Sequence, residues 1–151
     1  MTIQVRQAHR RDAAQLVALV REHAAYERGQ AQVREADILA ILDAPIAPTN
    51  LVVADDGDLL VGYAAFTFDF AFWLACRFVH LDCLFVKEDA RGKTIGKRLF
   101  QHVCQSAAAA GVSRVEWQTP DWNIEAIRFY GREGGLCLSK MRFTKLVRST
   151  A

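Results

Sequence analysis

Prolines are scarce, three in 151 residues. Two of them fall in Ala44-Pro45-Ile46-Ala47-Pro48-Thr49-Asn50, where a missing backbone donor ends any helix. The four cysteines form no Cys-x-x-Cys pair, and His9, His23, His80 and His102 are scattered. Zinc spacing is therefore absent, no metal is expected, and the thiols read as free and buried. Charge of one sign is also lacking: the net value of +2 is too small for a dedicated nucleic-acid binder. No apolar run approaches the roughly 20 residues that cross a bilayer. Met1–Arg6 lacks the apolar stretch of a signal peptide, so no membrane partner and a cytoplasmic location are expected. What remains is an ordinary globular composition, 52% apolar and 24% charged. Its length favours one domain, residues 1–151, with a real core.

Alternation of apolar and polar residues predicts a first strand over Thr2–Gln7. Ala13, Leu16, Val17, Val20 and Ala24 draw one face of a helix over Arg10–Ala25, and a second helix is expected over Arg34–Leu42. Leu51–Ala54 and Leu59–Phe70 read as strands around the turn Asp55-Asp56-Gly57-Asp58. Arg77–Val86 is a further strand, rich in aromatic and β-branched residues. Ile95, Leu99, Val103 and Ala107 recur at four-residue steps in the longest helix, Thr94–Ala110, which Gly111 ends. A strand over Ser113–Gln118, a helix over Asn123–Arg132 and a last strand over Leu138–Leu146 follow. The order β-α-α-β-β-β-α-β-α-β predicts an α/β (mixed α+β) fold, a mixed sheet flanked by helices.

Gly92-Lys93-Thr94 looks like the end of a triphosphate P-loop, but the glycine required five positions earlier is Lys87. Gly96-Lys97 runs into Arg98, and five residues before Gly96 stands Arg91. The triphosphate reading fails on spacing. A strand, a glycine-punctuated basic turn and a helix start remain. A helix start offers unpaired N–H groups and partial positive charge to a phosphate. Gly92 and Gly96 let a ligand approach the backbone. Arg91, Lys93, Lys97 and Arg98 add charge suited to a diphosphate.

Arg91-Gly92-Lys93-Thr94-Ile95-Gly96 matches Arg/Gln-x-x-Gly-x-Gly/Ala, the turn of the GCN5-related N-acetyltransferases, except that Thr94 stands where that family has glycine. The resemblance covers most of the chain and is nearest to the diamine (spermidine/spermine) branch. Its segments are Ala24–Gln30 ("AAYERGQ"), Val79–Gly92 ("VHLDCLFVKEDARG") and Asp121–Gly135 ("DWNIEAIRFYGREGG"). It implies a GNAT-like twisted sheet of about six to seven strands, acetyl-CoA as co-substrate, and a homodimer, with "SKMRFTKLV" pairing across chains. By it, Arg91, Gly92, Lys93, Thr94, Ile95, Gly96 and Lys97 hold the diphosphate. The backbone of Leu84, Phe85 and Val86 pairs with the pantetheine arm, and Asn123 binds the same arm. Thr94 keeps its N–H but hinders binding if its position demands positive φ.

The implied reaction is attack of an amine on a thioester. An amine of pKa near 10.4 is neutral in only about one molecule in a few thousand at pH 7, so a base is needed. Strand alternation puts His80 and Asp82 on one face, away from Leu81 and Cys83. Asp82 stands where the branch has an acidic contact and is the favoured amine anchor and base, with His80 as the alternative. The N–H of Leu84 suits the developing oxyanion. Tyr130, seven residues after Asn123, matches the family's acid for the leaving thiolate. Tyr26 and Glu27 match the branch's acceptor residues. Phe66, Phe68, Phe70 and Phe72 line one strand face, as core or as an acceptor cleft, with Asp69 opposite. Cys83 replaces a second acid, which favours a smaller amine or an amino acid over spermine; it has no evident base partner for an acetyl-enzyme route. A small-molecule amine acetyltransferase is the leading expectation. A non-catalytic acyl-CoA sensor and a protein or peptide N-acetyltransferase are the rivals.

Overall fold

The computed structural model describes residues 2–150. The chain divides into two units, Met1–Gln118 and Thr119–Ala151. The first unit carries β1 (Gln4–Gln7), α1 (Ala13–Tyr26), α2 (Glu35–Asp43), β2 (Asn50–Asp55), β3 (Leu60–Ala71), β4 (Cys76–Val86), α3 (Ile95–Ala109) and β5 (Val115–Trp117). The second carries α4 (Ile124–Arg132). No helix among the described residues is long and apolar enough to cross a membrane.

The sheet is mixed and runs in the order β1-β2-β3-β4-β5. Its first four strands are antiparallel, and β5 joins β4 in parallel. Leu16, Val17 and Ile38 of α1 and α2 pack with Val53, Leu60, Tyr63 and Phe85 in one apolar cluster. The opposite face takes α3, where Ile95, Leu99, Val103 and Ala107 are all buried, the four-residue stripe that the sequence predicts. Gly62 fixes how closely these layers approach. A Cβ there would stand 2.7 Å from the Phe85 carbonyl oxygen and 3.2 Å from Leu99 Cδ1. Only glycine lets β3 lie so near β4 and α3 at this point.

Arg6 ties β1 to the start of α1 and to the end of β2. Its Nη1 and Nη2 donate to the two Asp12 oxygens at 2.7 and 3.0 Å, and Nη2 donates to Asp55 Oδ2 at 2.7 Å. Asp12 Oδ2 also accepts the His9 N–H at 2.7 Å. Both the Arg6 and Asp12 side chains are nearly removed from water.

Three expectations need correction. The strand over Leu138–Leu146 does not form, and the described sheet has five strands, not six or seven. Leu138, Met141, Phe143 and Leu146 stand exposed instead. Alternation along a segment does not supply the neighbouring ladder that holds a strand. The phenylalanine stripe is not uniformly core: Phe66 is buried, but Phe70, Phe72 and the neighbouring Trp73 are exposed. The cysteines are free as expected. Cys137, however, is exposed and the other three are only partly buried.

Candidate active site

β4 delivers the residues on which the acceptor chemistry would rest, and it is irregular where they lie. Ala65 pairs with Cys83, and the next residue of β3, Phe66, pairs with Leu81. Asp82 is therefore the extra residue of a β-bulge. The bulge resets the alternation. His80 lies opposite Thr67 and Cys83 opposite Ala65, so these two share the sheet face that carries α1. The expected separation of His80 and Asp82 from Cys83 is thus overturned. The Cys83 thiol instead donates to Asp82 Oδ2 at 3.7 Å. His80 turns to another carboxylate, with Nδ1 4.0 Å from Asp69 Oδ2.

Below the bulge β4 has an open edge. β5 pairs only with Val79–Leu81. The Lys87 N–H goes to Val61 O on the β3 side at 2.9 Å, and the Val86 carbonyl accepts Arg91 Nε at 3.0 Å. Main-chain groups alternate in direction along a strand, so those of Leu84 and Val86 face away from β3. Phe85, between them, turns its carbonyl toward Gly62 and buries its ring in the α1 cluster.

The turn after β4 has the backbone of an anion cradle. Gly92 has φ +74° and Thr94 has φ +62°, and α3 begins at Ile95. Arg98 N–H is bonded to Thr94 O at 3.0 Å. The N–H groups of Ile95, Gly96 and Lys97 therefore precede the first intrahelical bond and have no acceptor within the helix. Thr94 makes no side-chain cap bond. A β-branched residue in the left-handed region costs about 1–2 kcal/mol. Position 94 thus demands positive φ, the condition under which Thr94 is expected to hinder binding.

Of the basic side chains, Arg91 is turned inward. Its guanidinium lies over the Tyr26 ring at 4.8 Å and the Phe85 ring at 5.6 Å. Lys93 Nζ reaches Asp89 O at 3.3 Å. The C-terminal end of α1, with Tyr26 and Glu27, is thus tied to the turn through Arg91, and to β4 through His23. His23 stacks on Phe85 at 5.1 Å. Its Nδ1 is 2.7 Å from Tyr63 Oη, and its Nε2 is 3.3 Å from Glu27 Oε1. Cys83 packs against the apolar cluster that contains Tyr63. Burial, with the Asp82 charge second, pushes the Cys83 thiol up to about 12. Burial, and then the neighbouring Cys83, Asp82 and Glu27, push the Tyr63 phenol up as well.

Tyr26, Glu27, Asp82, Leu84, Val86 and the turn Arg91–Lys97 therefore belong to one region of the first unit. His23 and Tyr63 join them, and sequence reasoning missed both. The helical face of His23 was visible, but not the strand residue opposite it. In the second unit Asn123 is buried and caps α4, its Oδ1 accepting the Ala126 N–H at 3.2 Å. Tyr130 lies on α4, its ring 5.2 Å from that of Phe129 at a steep angle. No group of side chains among the described residues is arranged to hold a metal ion.

Comparison with known proteins agrees with this architecture. The chain is 26% identical over 155 residues to the thialysine N-epsilon-acetyltransferase of Bos taurus, covering 91% of this chain and 86% of that one. It is 33% identical over 88 residues to the L-ornithine N5-acetyltransferase of Arabidopsis thaliana, covering 58% of this chain and 39% of that protein's length. A Bacillus halodurans transcriptional regulator superposes with a TM-score of 0.81 at 20% identity, covering 96% of this chain and all of that one. An integron cassette protein of V. cholerae superposes at 0.77 with 22% identity, covering 98% and 94%. At that identity the two structures speak for the fold alone. The model of the acetyltransferase (GNAT) family matches residues 12–135. With most of its length matched by that model, and with a sheet edge and glycine turn of the expected form, the chain belongs to the acetyltransferase (GNAT) family.

Proposed function

We propose that this chain, read as one acetyltransferase domain, moves an acetyl group from acetyl-CoA directly to a primary amine of a small molecule. The observation that carries the reading is the turn into α3, where Ile95, Gly96 and Lys97 keep their N–H groups outside the helical ladder. Such donors, with the field of the helix start, suit the diphosphate of coenzyme A. Lys97, and Lys93 once released from Asp89, add charge. The open edge at Leu84 and Val86 suits the amides of the pantetheine arm, as an added strand. The thioester then lies toward the bulge, with the Leu84 N–H aimed at the oxygen that becomes negative in the tetrahedral intermediate.

Asp82 accepts the proton of the bound ammonium, and the freed amine attacks the thioester carbon. The intermediate collapses and expels the thiolate, which Tyr130 protonates by the role its motif assigns, and the second proton lost by the nitrogen restores the phenol. Asn123 holds the arm from the same motif. A Cys83 thiol pushed up to about 12 supplies little thiolate near neutrality, which supports direct transfer over an acetyl-enzyme. Tyr26, Glu27 and Asp82 give the acceptor region aromatic and negative character, which suits a second ammonium on the substrate. The relatives that act on ornithine and thialysine support an amino-acid-like diamine.

A thiol-release assay with acetyl-CoA and a panel of diamines and basic amino acids tests the proposal. Release above hydrolysis with at least one such amine, in a sequential kinetic pattern, is expected. No release with any amine would favour a non-catalytic acyl-CoA sensor, and ping-pong kinetics would overturn direct transfer.

A further inference from the structure

His23 and Tyr63 take no part in the chemistry proposed above, yet both are withdrawn from water beside it. Tyr63 is 2% exposed and the His23 side chain 13%. Tyr63 Oη lies 2.7 Å from His23 Nδ1, and His23 Nε2 lies 3.3 Å from Glu27 Oε1. Chemistry fixes the direction of both bonds. Burial keeps the Tyr63 phenol protonated, so it has a hydrogen to give. An ionised carboxylate only accepts. The neutral imidazole therefore carries its hydrogen on Nε2, donates it to Glu27 and accepts the Tyr63 O–H at Nδ1. Phe85 stacks on the imidazole at 5.1 Å, and the Tyr63 ring meets it edge-on at 5.7 Å, so its plane is held from two sides.

The carboxylate held in this way stands where helix stability would not put it. Glu27 is the C-cap of α1, an end whose partial charge is negative and favours a cation. A carboxylate there adds to that field instead of offsetting it. The backbone around it is fixed, with Arg28 at φ +62° and the Gly29 N–H donating to Ala24 O at 2.7 Å. His23 takes one oxygen of Glu27, and a carboxylate accepts at the other as well. The charges of Asp82 and Glu27 both act on the Tyr63 phenol, so the two carboxylates lie around one buried group.

We infer that His23, oriented by Tyr63, is a positioning residue that fixes the Glu27 carboxylate as the anchor for a second ammonium of the acceptor. The site then prefers an acceptor with two cations a short chain apart to a monoamine of the same length. In the acetyltransferase reading, on which this rests, Asp82 takes the reacting nitrogen and Glu27 the distant one. A monoamine leaves Glu27 and the helix end unmatched. Holding Glu27 in place before the substrate arrives also removes the ordering of a long side chain from the cost of binding. His23 and Tyr63 touch no substrate; they act through Glu27.

Steady-state kinetics of the full chain test this with two matched pairs of acceptors, ornithine against 5-aminopentanoate and putrescine against butylamine. Each pair differs by one ammonium. The wild type should favour the diammonium member of at least one pair by about tenfold in kcat/KM. Tyr63→Phe and His23→Leu should each raise KM for that member about fivefold, with kcat and the constants of the monoamine little changed. His23→Gln, whose amide can accept from Tyr63 and donate to Glu27, should bring KM back to within about twofold of the wild type. Glu27→Gln should abolish the preference, and adding His23→Leu to it should lower the preference no further. Equal losses with both members of a pair would mean that His23 and Tyr63 serve only the fold, and would overturn the inference. An undiminished preference in His23→Leu, or a wild type that treats both members alike, would overturn it too and leave the acetyltransferase reading standing. No turnover of any amine by the wild type would overturn that reading and the inference with it.

Discussion

Asp82→Asn should lower kcat for amine acetylation by about 10²-fold or more at pH 7, with coenzyme A binding unchanged. The substitution keeps the size and hydrogen-bonding shape of the side chain, so the bulge opposite Ala65 and Phe66 survives. What it removes is the group that takes a proton. Withdrawing a proton from an amine of pKa about 10.4 at pH 7 costs roughly 4–5 kcal/mol. A carboxylate that anchors the ammonium and accepts its proton at contact offsets much of that cost. The amide does neither. Raising the pH supplies neutral amine without a base, so kcat/KM of the variant should climb about tenfold per pH unit below the amine's pKa. The wild type should respond less steeply. Unchanged turnover in Asp82→Asn, paired with a loss in His80→Gln, would move the role to His80.

The contrast between these two residues shows how far the sequence could be read. Periodicity, composition and turn residues together located β1 to β5 and α1 to α4 to within a few residues. The family turn was visible because its glycines and basic residues are consecutive. The bulge was not. It exists only as a register shift between β3 and β4, and strict alternation along β4 alone puts Cys83 on the wrong face. The partners of His23 stayed hidden for the same reason: Tyr63 lies forty residues away, and only the sheet brings it to α1. The inward turn of Arg91 onto Tyr26 depends likewise on a contact between distant segments. The error at Leu138–Leu146 is the converse, a strand-like pattern with no strand beside it among the described residues.

Arg6→Ala carries the largest expected loss of stability, about 3–5 kcal/mol. Truncation removes four donated bonds to Asp12 and Asp55. It also leaves the Asp12 carboxylate buried against the start of α1 with only the His9 N–H as partner. An unpaired buried charge costs more than the pair ever contributed. The loss depends on pH. Burial pushes Asp12 up, but the Arg6 bond and then the His9 N–H outweigh it and hold its carboxyl below the ordinary 3.8. Asp55 is lowered first by Arg6 and then by the Gly57 N–H. A depressed carboxyl contributes stability that is present above its unfolded value and lost as pH falls through its folded one. Urea unfolding of wild type and Arg6→Ala should therefore differ most above about pH 5 and converge below about pH 3. Equal midpoints at pH 7 would show that Arg6 is dispensable to the fold.

Calorimetric titration with coenzyme A, and with pantetheine as the control that lacks the diphosphate, bears most directly on the turn between Gly92 and Lys97. Saturable heat with coenzyme A and much weaker binding of pantetheine is the expected result. No heat with coenzyme A, or equal binding of pantetheine, would contradict a diphosphate held by those main-chain amides.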